Sequence, residues 1–150
     1  MGKKKIGFVL ILALLNCSKK EVETQYYKAS SQDSKTFAVL SIQKREKDFR
    51  GNYQIFYMDK KKDSGAVAGT IFGDTLKGRY DFISRNNSKS LKPVIFLSDN
   101  QNLKLGIGDI YTHFNIPFFL ESTISYPDSL FQFKSINKVE YEAVKKGFVK

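Results

Sequence analysis

This chain of 150 residues contains one cysteine, one histidine, three prolines and no tryptophan. A single thiol excludes an internal disulfide framework and any zinc site that needs several cysteines. A single imidazole, His113, excludes a metal site built on several histidines. No stretch approaches the ~18 consecutive apolar residues of a spanning helix. The longest, residues 6–15, would rise only roughly 15 Å as a helix, about half of a hydrocarbon core. Sequence signatures of catalysis are also missing. There is no Gly-x-Ser-x-Gly elbow, and Asp59, Asp63 and residues 99–102 lack the spacing and closing Glu of a calcium loop. Gly106-Ile107-Gly108 falls inside a strand pattern instead of joining a strand to a helix. Glu121, Asp109 and Asp128 supply carboxylates, but nothing pairs them as glycosidase carboxylates. The sequence therefore predicts no cofactor, no metal and no catalytic residue. One catalytic alternative stays open, a hydrolase using His113 near Asp109 and Thr112, because such a dyad is defined by geometry.

What is present begins with the lone cysteine. Lys3-Lys4-Lys5, the apolar run 6–15, Asn16 and Cys17 follow in that order. A cationic stretch ahead of a short apolar one is the pattern of a secretory signal peptide. Leu14-Leu15-Asn16-Cys17 resembles a bacterial lipobox, with Asn16 where Ala or Gly is usual, a looser form similar to those of the Bacteroidota. The resemblance implies cleavage after residue 16 and acyl chains on Cys17. Each buried methylene contributes about 0.8 kcal/mol, so two or three chains hold a protein at a membrane essentially permanently. The expected location is the bacterial cell envelope, at the outer membrane ahead of the inner.

Removal of residues 1–16 from the 150 leaves 134, one domain of ordinary size. With Lys3 to Lys5 gone, 22 of the 25 basic residues face 15 acids, an excess of +7. The lysines are spread through turns instead of forming a stripe, which argues against nucleic acid as a partner. Attraction to anionic lipid or envelope polymer, or solubility alone, accounts for the charge.

Residues 18–35 are polar and read as a flexible tether, which as a coil would lift the domain roughly 20 to 25 Å from the bilayer. A single domain is expected over 36–150. Beyond Lys35 the apolar period becomes two and turn residues recur about every ten positions, the pattern of an antiparallel meander. Strands are predicted at 36–44, 49–58, 66–72, 75–84, 91–98 and 103–108, with the lysine-rich segment 59–65 as a solvated turn. Gly73-Asp74 closes a tight hairpin with Gly first. That turn sets a register in which Gly69 faces Gly78 and Val67 faces Tyr80, with Phe82 continuing the same apolar side. Two glycines facing each other predict a strongly coiled sheet that wraps its apolar face inward. Gly69, Gly78, Tyr80 and Phe82 are thus the candidate inner-face and ligand-contacting residues. The fold class is all-β: six to eight antiparallel strands curled into a small barrel or half-barrel. Further on, the cluster 114–120 is either a cover for one barrel end or an exposed patch for a partner. Residues 129–136 read as another strand, and 138–146 as a short helix stopped at Gly147.

The segment from Gly65 to Gly108 resembles small, mostly uncharacterised Bacteroidota lipoproteins. The resemblance is carried by Gly69, Gly73, Asp74, Thr75, Leu76, Tyr80, Phe82, Phe96, Leu103, Gly106 and Gly108. It covers about a third of the chain and departs at Arg85-Asn86-Asn87, where an acidic residue and Gly are usual. It implies anchoring and a lipocalin-like meander, and carries no activity with it. The expected function is a non-enzymatic binding or structural module acting by contact with an envelope or extracellular protein. The alternatives are a lipocalin-like carrier of a small apolar ligand and the His113 hydrolase.

Overall fold

Seven strands follow one another in the first part of the computed structural model, which describes residues 22–147. These are β1 (Thr24–Ser30), β2 (Thr36–Lys44), β3 (Asp48–Tyr57), β4 (Lys62–Phe72), β5 (Thr75–Ile83), β6 (Lys89–Asp99) and β7 (Asn102–Leu105). A two-stranded excursion, β8 (Ile110–His113) and β9 (Ile116–Phe119), precedes β10 (Gln132–Ile136) and the helix α1 (Lys138–Gly147). Each of β1 to β6 pairs antiparallel with its successor, and β10 lies between β7 and β1, closing an eight-stranded barrel. An up-and-down barrel of this size is compatible with a lipocalin-like fold. Closure leaves the barrel no open strand edge. The expected signal peptide (1–16) and Cys17 lie outside the described residues.

The register expected of the Gly73-Asp74 hairpin is the one found, with Gly69 opposite Gly78 and Val67 opposite Tyr80. A Cβ on Gly78 would lie 2.2 Å from the carbonyl oxygen of Ala68, and one on Gly69 would lie 2.4 Å from the Gly78 Cα. The strands approach more closely here than any side chain permits, and the sheet coils tightly enough to close.

Two boundaries differ from expectation. The stretch read as tether contains β1, which pairs with β2 from Thr24–Gln43 to Ser30–Phe37 and with β10 from Tyr26 to Lys28. Closing the barrel orders it; its own sequence offers only Tyr27 and Ala29 to the core. The segment 59–65 is a turn only in its first half, since β4 starts at Lys62 and carries Asp63 onto the inner face.

The centre of the barrel is filled. Leu40, Ile42, Phe49, Tyr53, Val67, Leu76, Phe96, Leu103 and Phe133 are each at most 3 % exposed. Tyr53 sits at the hub of the aromatic packing, its ring centroid 4.8 Å from Tyr80, 6.2 Å from Phe96 and 5.7 Å from Phe133. Eight strands enclose a space just wide enough for side chains to occupy. A second, smaller cluster lies outside the wall, where Tyr141 of α1 covers Val39 and Phe56 and packs against Tyr26. The Asn137 side chain caps this helix by accepting the Glu140 amide at 2.9 Å, and Glu140 pairs with Lys28 of β1. The expected helix is therefore present and serves as an outer brace.

Candidate binding mouth

One end of the barrel is built by the turns between β1 and β2, β3 and β4, and β5 and β6, and by the segments that leave β7 and enter β10. Inner-face positions at this end are not filled to the rim. They enclose a cavity of about 330 Å³ walled by Tyr53, Ile55, Tyr80, Phe82, Val94 and Leu105, with Tyr57, Asp63, Lys92, Ile107 and Leu130 around its opening. Two larger hollows, of about 540 and 490 Å³, lie beside α1 and at the opposite end of the barrel; their linings are mainly hydroxyl, amide and charged side chains.

Asp63 organises the mouth. Alternation along β4 turns its side chain inward, where it is only 9 % exposed. One carboxylate oxygen accepts the Tyr57 phenol at 2.9 Å and the other accepts the Arg85 backbone amide at 2.6 Å. Two of the turns that form the rim are thereby tied through one carboxylate. The tie brings the Arg85 guanidinium over the Tyr57 ring, 4.6 Å from its centroid. Lys92, opposite Tyr80 in the β5–β6 register, holds its ammonium 5.6 Å from the Phe82 ring. Such placements bury the stems of the cations on aromatic surface and leave their heads in water. Among the described residues neither Arg85 nor Lys92 makes an ion pair with a carboxylate.

Burial, and beside it the Asp63 carboxylate, pushes the Tyr57 phenol up to about 12. Tyr80 and Tyr53 are raised further, first by desolvation, and Tyr80 donates its hydroxyl to the Tyr53 carbonyl at 2.9 Å. At neutral pH the wall thus presents protonated phenols and apolar rings beneath a cationic edge.

Of the expected inner-face residues, Tyr80 and Phe82 form the wall of this cavity. Gly69 and Gly78 do not line it, because their role is the close approach of β4 and β5. His113 is elsewhere, exposed on β8, with its ring 4.4 Å from Phe114. Among the described residues it forms no hydrogen bond or ion pair with Asp109 or a hydroxyl, and Asp109 instead takes part in backbone hydrogen bonds that join Leu120 and Thr123. The cluster 114–120 is an exposed patch and not an end cover. β9 packs on the outside of β6, leaving Ile110, Tyr111 and Phe118 between 38 % and 54 % exposed and Phe114 86 % exposed at the apex.

Asp63, which the sequence reading leaves in a turn, Arg85 and Lys92 are not among the binding residues expected from the sequence. Stepping back by twos from Val67 through Gly65 would have put Asp63 on the inner face, and the same step from Val94 reaches Lys92. No family model matches this chain, and neither a curated protein nor a solved structure is significantly similar to it.

Proposed function

We propose that this chain is a lipid-anchored protein of the bacterial cell envelope, held to a membrane by acyl chains on Cys17, whose barrel is a non-enzymatic binding module with its recognition site at the mouth. The observation that carries the proposal is the contrast between a filled centre and an unfilled rim. A carrier of a large apolar ligand needs a hollow interior, and the core aromatics occupy that space. The mouth cavity of about 330 Å³ lies at the small end of the range for ligand sites, about 300 to 1,000 Å³. It suits a small molecule, or the end group of a larger one, inserted from the rim. Carriage survives only in this restricted form.

Anchoring at Cys17 fits the geometry. Seven residue steps separate it from Thr24, so the leash reaches at most about 25 Å, and it joins the barrel at the end opposite the mouth. The mouth stays open to the aqueous side.

A second reading is favoured by the β8–β9 hairpin, whose exposed aromatics suit contact with an envelope or extracellular protein. One experiment separates the two. Calorimetric titration of the full chain with 8-anilinonaphthalene-1-sulfonate is compared in the wild type, an Ile107→Trp variant that fills the mouth, and a Phe114→Ser variant that clears the hairpin apex. The mouth reading predicts binding that is lost in Ile107→Trp and kept in Phe114→Ser. The opposite pattern moves the site to the hairpin.

A further inference from the structure

We infer that the mouth selects an anionic ligand with a flat apolar or aromatic body, the negative group held between Arg85 and Lys92 and the body against Tyr80 and Phe82. This rests on the mouth being the recognition site and adds the chemistry of what enters it. The first ground is charge. The β3–β4 and β5–β6 turns with their adjoining strand starts carry Lys60, Lys61, Lys62, Arg85, Lys89 and Lys92, against Asp59 and Asp63, and the β1–β2 turn at the same end adds Lys35 and Asp33.

The second ground is the state of those charges. Asp63 is engaged by two donors, the Tyr57 phenol and the Arg85 amide. Among the described residues it forms no ion pair with the Arg85 guanidinium, which lies instead over the Tyr57 ring. Lys92 likewise meets a ring and not a carboxylate. Elsewhere on the barrel four cations are paired: Lys28 with Glu140, Lys77 with Glu121, Lys104 with Asp99 and Lys145 with Glu142. Lys92 lines the cavity opening and Arg85 lies over the Tyr57 ring that also lines it, each held by a ring and neither in an ion pair.

The third ground is the wall. Tyr80 and Phe82 lie stacked, centroids 4.2 Å apart and planes 7° apart, presenting an aromatic surface at the cavity. Aromatic and apolar bodies gain by burial against such a surface. A cation on the ligand would meet like charge at the rim. A neutral body would gain the wall alone. An anion gains both, in a site partly removed from water, where charge-assisted hydrogen bonds are strongest. Guanidinium and ammonium serve phosphate, sulfonate and carboxylate alike, so the class is fixed by charge and shape and not by one acid group.

The test uses the full chain and three probes of one shape, phenyl phosphate, benzyl alcohol and benzylamine, titrated at low salt with amide chemical shifts as the readout. The expected result is that phenyl phosphate binds at least about tenfold more tightly than benzyl alcohol and that benzylamine is weakest. That margin should shrink in 0.5 M salt and in Lys92→Glu, with the spectrum of the folded barrel otherwise retained. Arg85→Gln, which keeps the backbone amide on Asp63, should narrow it as well. Equal binding of benzyl alcohol and phenyl phosphate at the mouth overturns the anionic selectivity while leaving the mouth as the site. Shifts that never appear at the mouth with any probe overturn both.

Discussion

The phenol of Tyr57 and the carboxylate of Asp63, at the end of β3 and the start of β4, lie 2.9 Å apart in a hydrogen bond that spans the turn between them. Because the second Asp63 oxygen takes the Arg85 amide, this one side chain fixes two of the loops around the mouth. A hydrogen bond to a charged group contributes about 1.5 to 3 kcal/mol, and removing the acceptor leaves both donors without it. Asp63→Ala should therefore lower unfolding free energy by about 2 to 3 kcal/mol in urea denaturation and weaken ligand binding at the rim. A change below about 0.5 kcal/mol would mean that water replaces the carboxylate at no loss.

The paired glycines make a second, sharper demand. Gly78→Val would drive a Cβ to within 2.2 Å of the Ala68 carbonyl oxygen, which is backbone and has nowhere to go. The expected loss is about 3 kcal/mol or more, or failure to fold. Met58→Ser, at an exposed turn position, is the comparison and should change stability by less than about 0.5 kcal/mol.

Alkaline pH probes the buried phenols together. Burial first, and then Asp63, raises Tyr57 to about 12, and burial also raises Tyr27, Tyr53 and Tyr80. In the unfolded chain these phenols ionise near about 10. As pH climbs past that value the unfolded state loses protons that the folded state keeps, so stability falls from pH about 10 through about 12. Urea midpoints measured from pH 8 to 11.5 should be level at first and then decline. Tyr57→Phe should decline less steeply, and a midpoint constant to pH 11.5 would contradict the burial of these groups.

Phe114 and Asn115 both have positive φ, at 47° and 61°, in the two-residue turn between β8 and β9. Such turns favour Asn and Gly, and a bulky residue there is strained by about 1 to 3 kcal/mol. Phe114→Asn should raise stability by about 0.5 to 1 kcal/mol while leaving binding at the mouth unchanged. Loss of stability would show that the exposed ring is packed in solution.

The legible part of the sequence was the part where turn chemistry and period two agreed. Gly73-Asp74 set the β4–β5 register, and from it followed the inner positions of Val67, Tyr80 and Phe82. β1 was hidden because a strand held by neighbours on both sides needs few apolar residues of its own, and Thr24–Ser30 has little beyond Tyr26, Tyr27 and Ala29. Asp63 was hidden for the opposite reason. A charged residue next to three lysines has the composition of a loop, and its inward position follows only once β4 is carried back past Gly65 to Lys62. The β8–β9 turn lacks glycine, so the aromatic cluster did not divide into two strands by sequence alone. The mouth escaped for a geometric reason: its residues come from β3, β4, β5, β6, the β5–β6 turn, the end of β7 with the segment after it, and the segment before β10, and no single stretch holds more than three of them.

A map of amide shifts on adding phenyl phosphate to the full chain tests most directly that the barrel is solid at its centre and binds at its rim. The account predicts perturbations confined to residues 55–57, 63, 80–85, 92–94 and 105–107, with Leu40, Gly69 and Phe114 silent. Perturbations centred on Leu40 and Gly69, or on the β8–β9 apex, would contradict it.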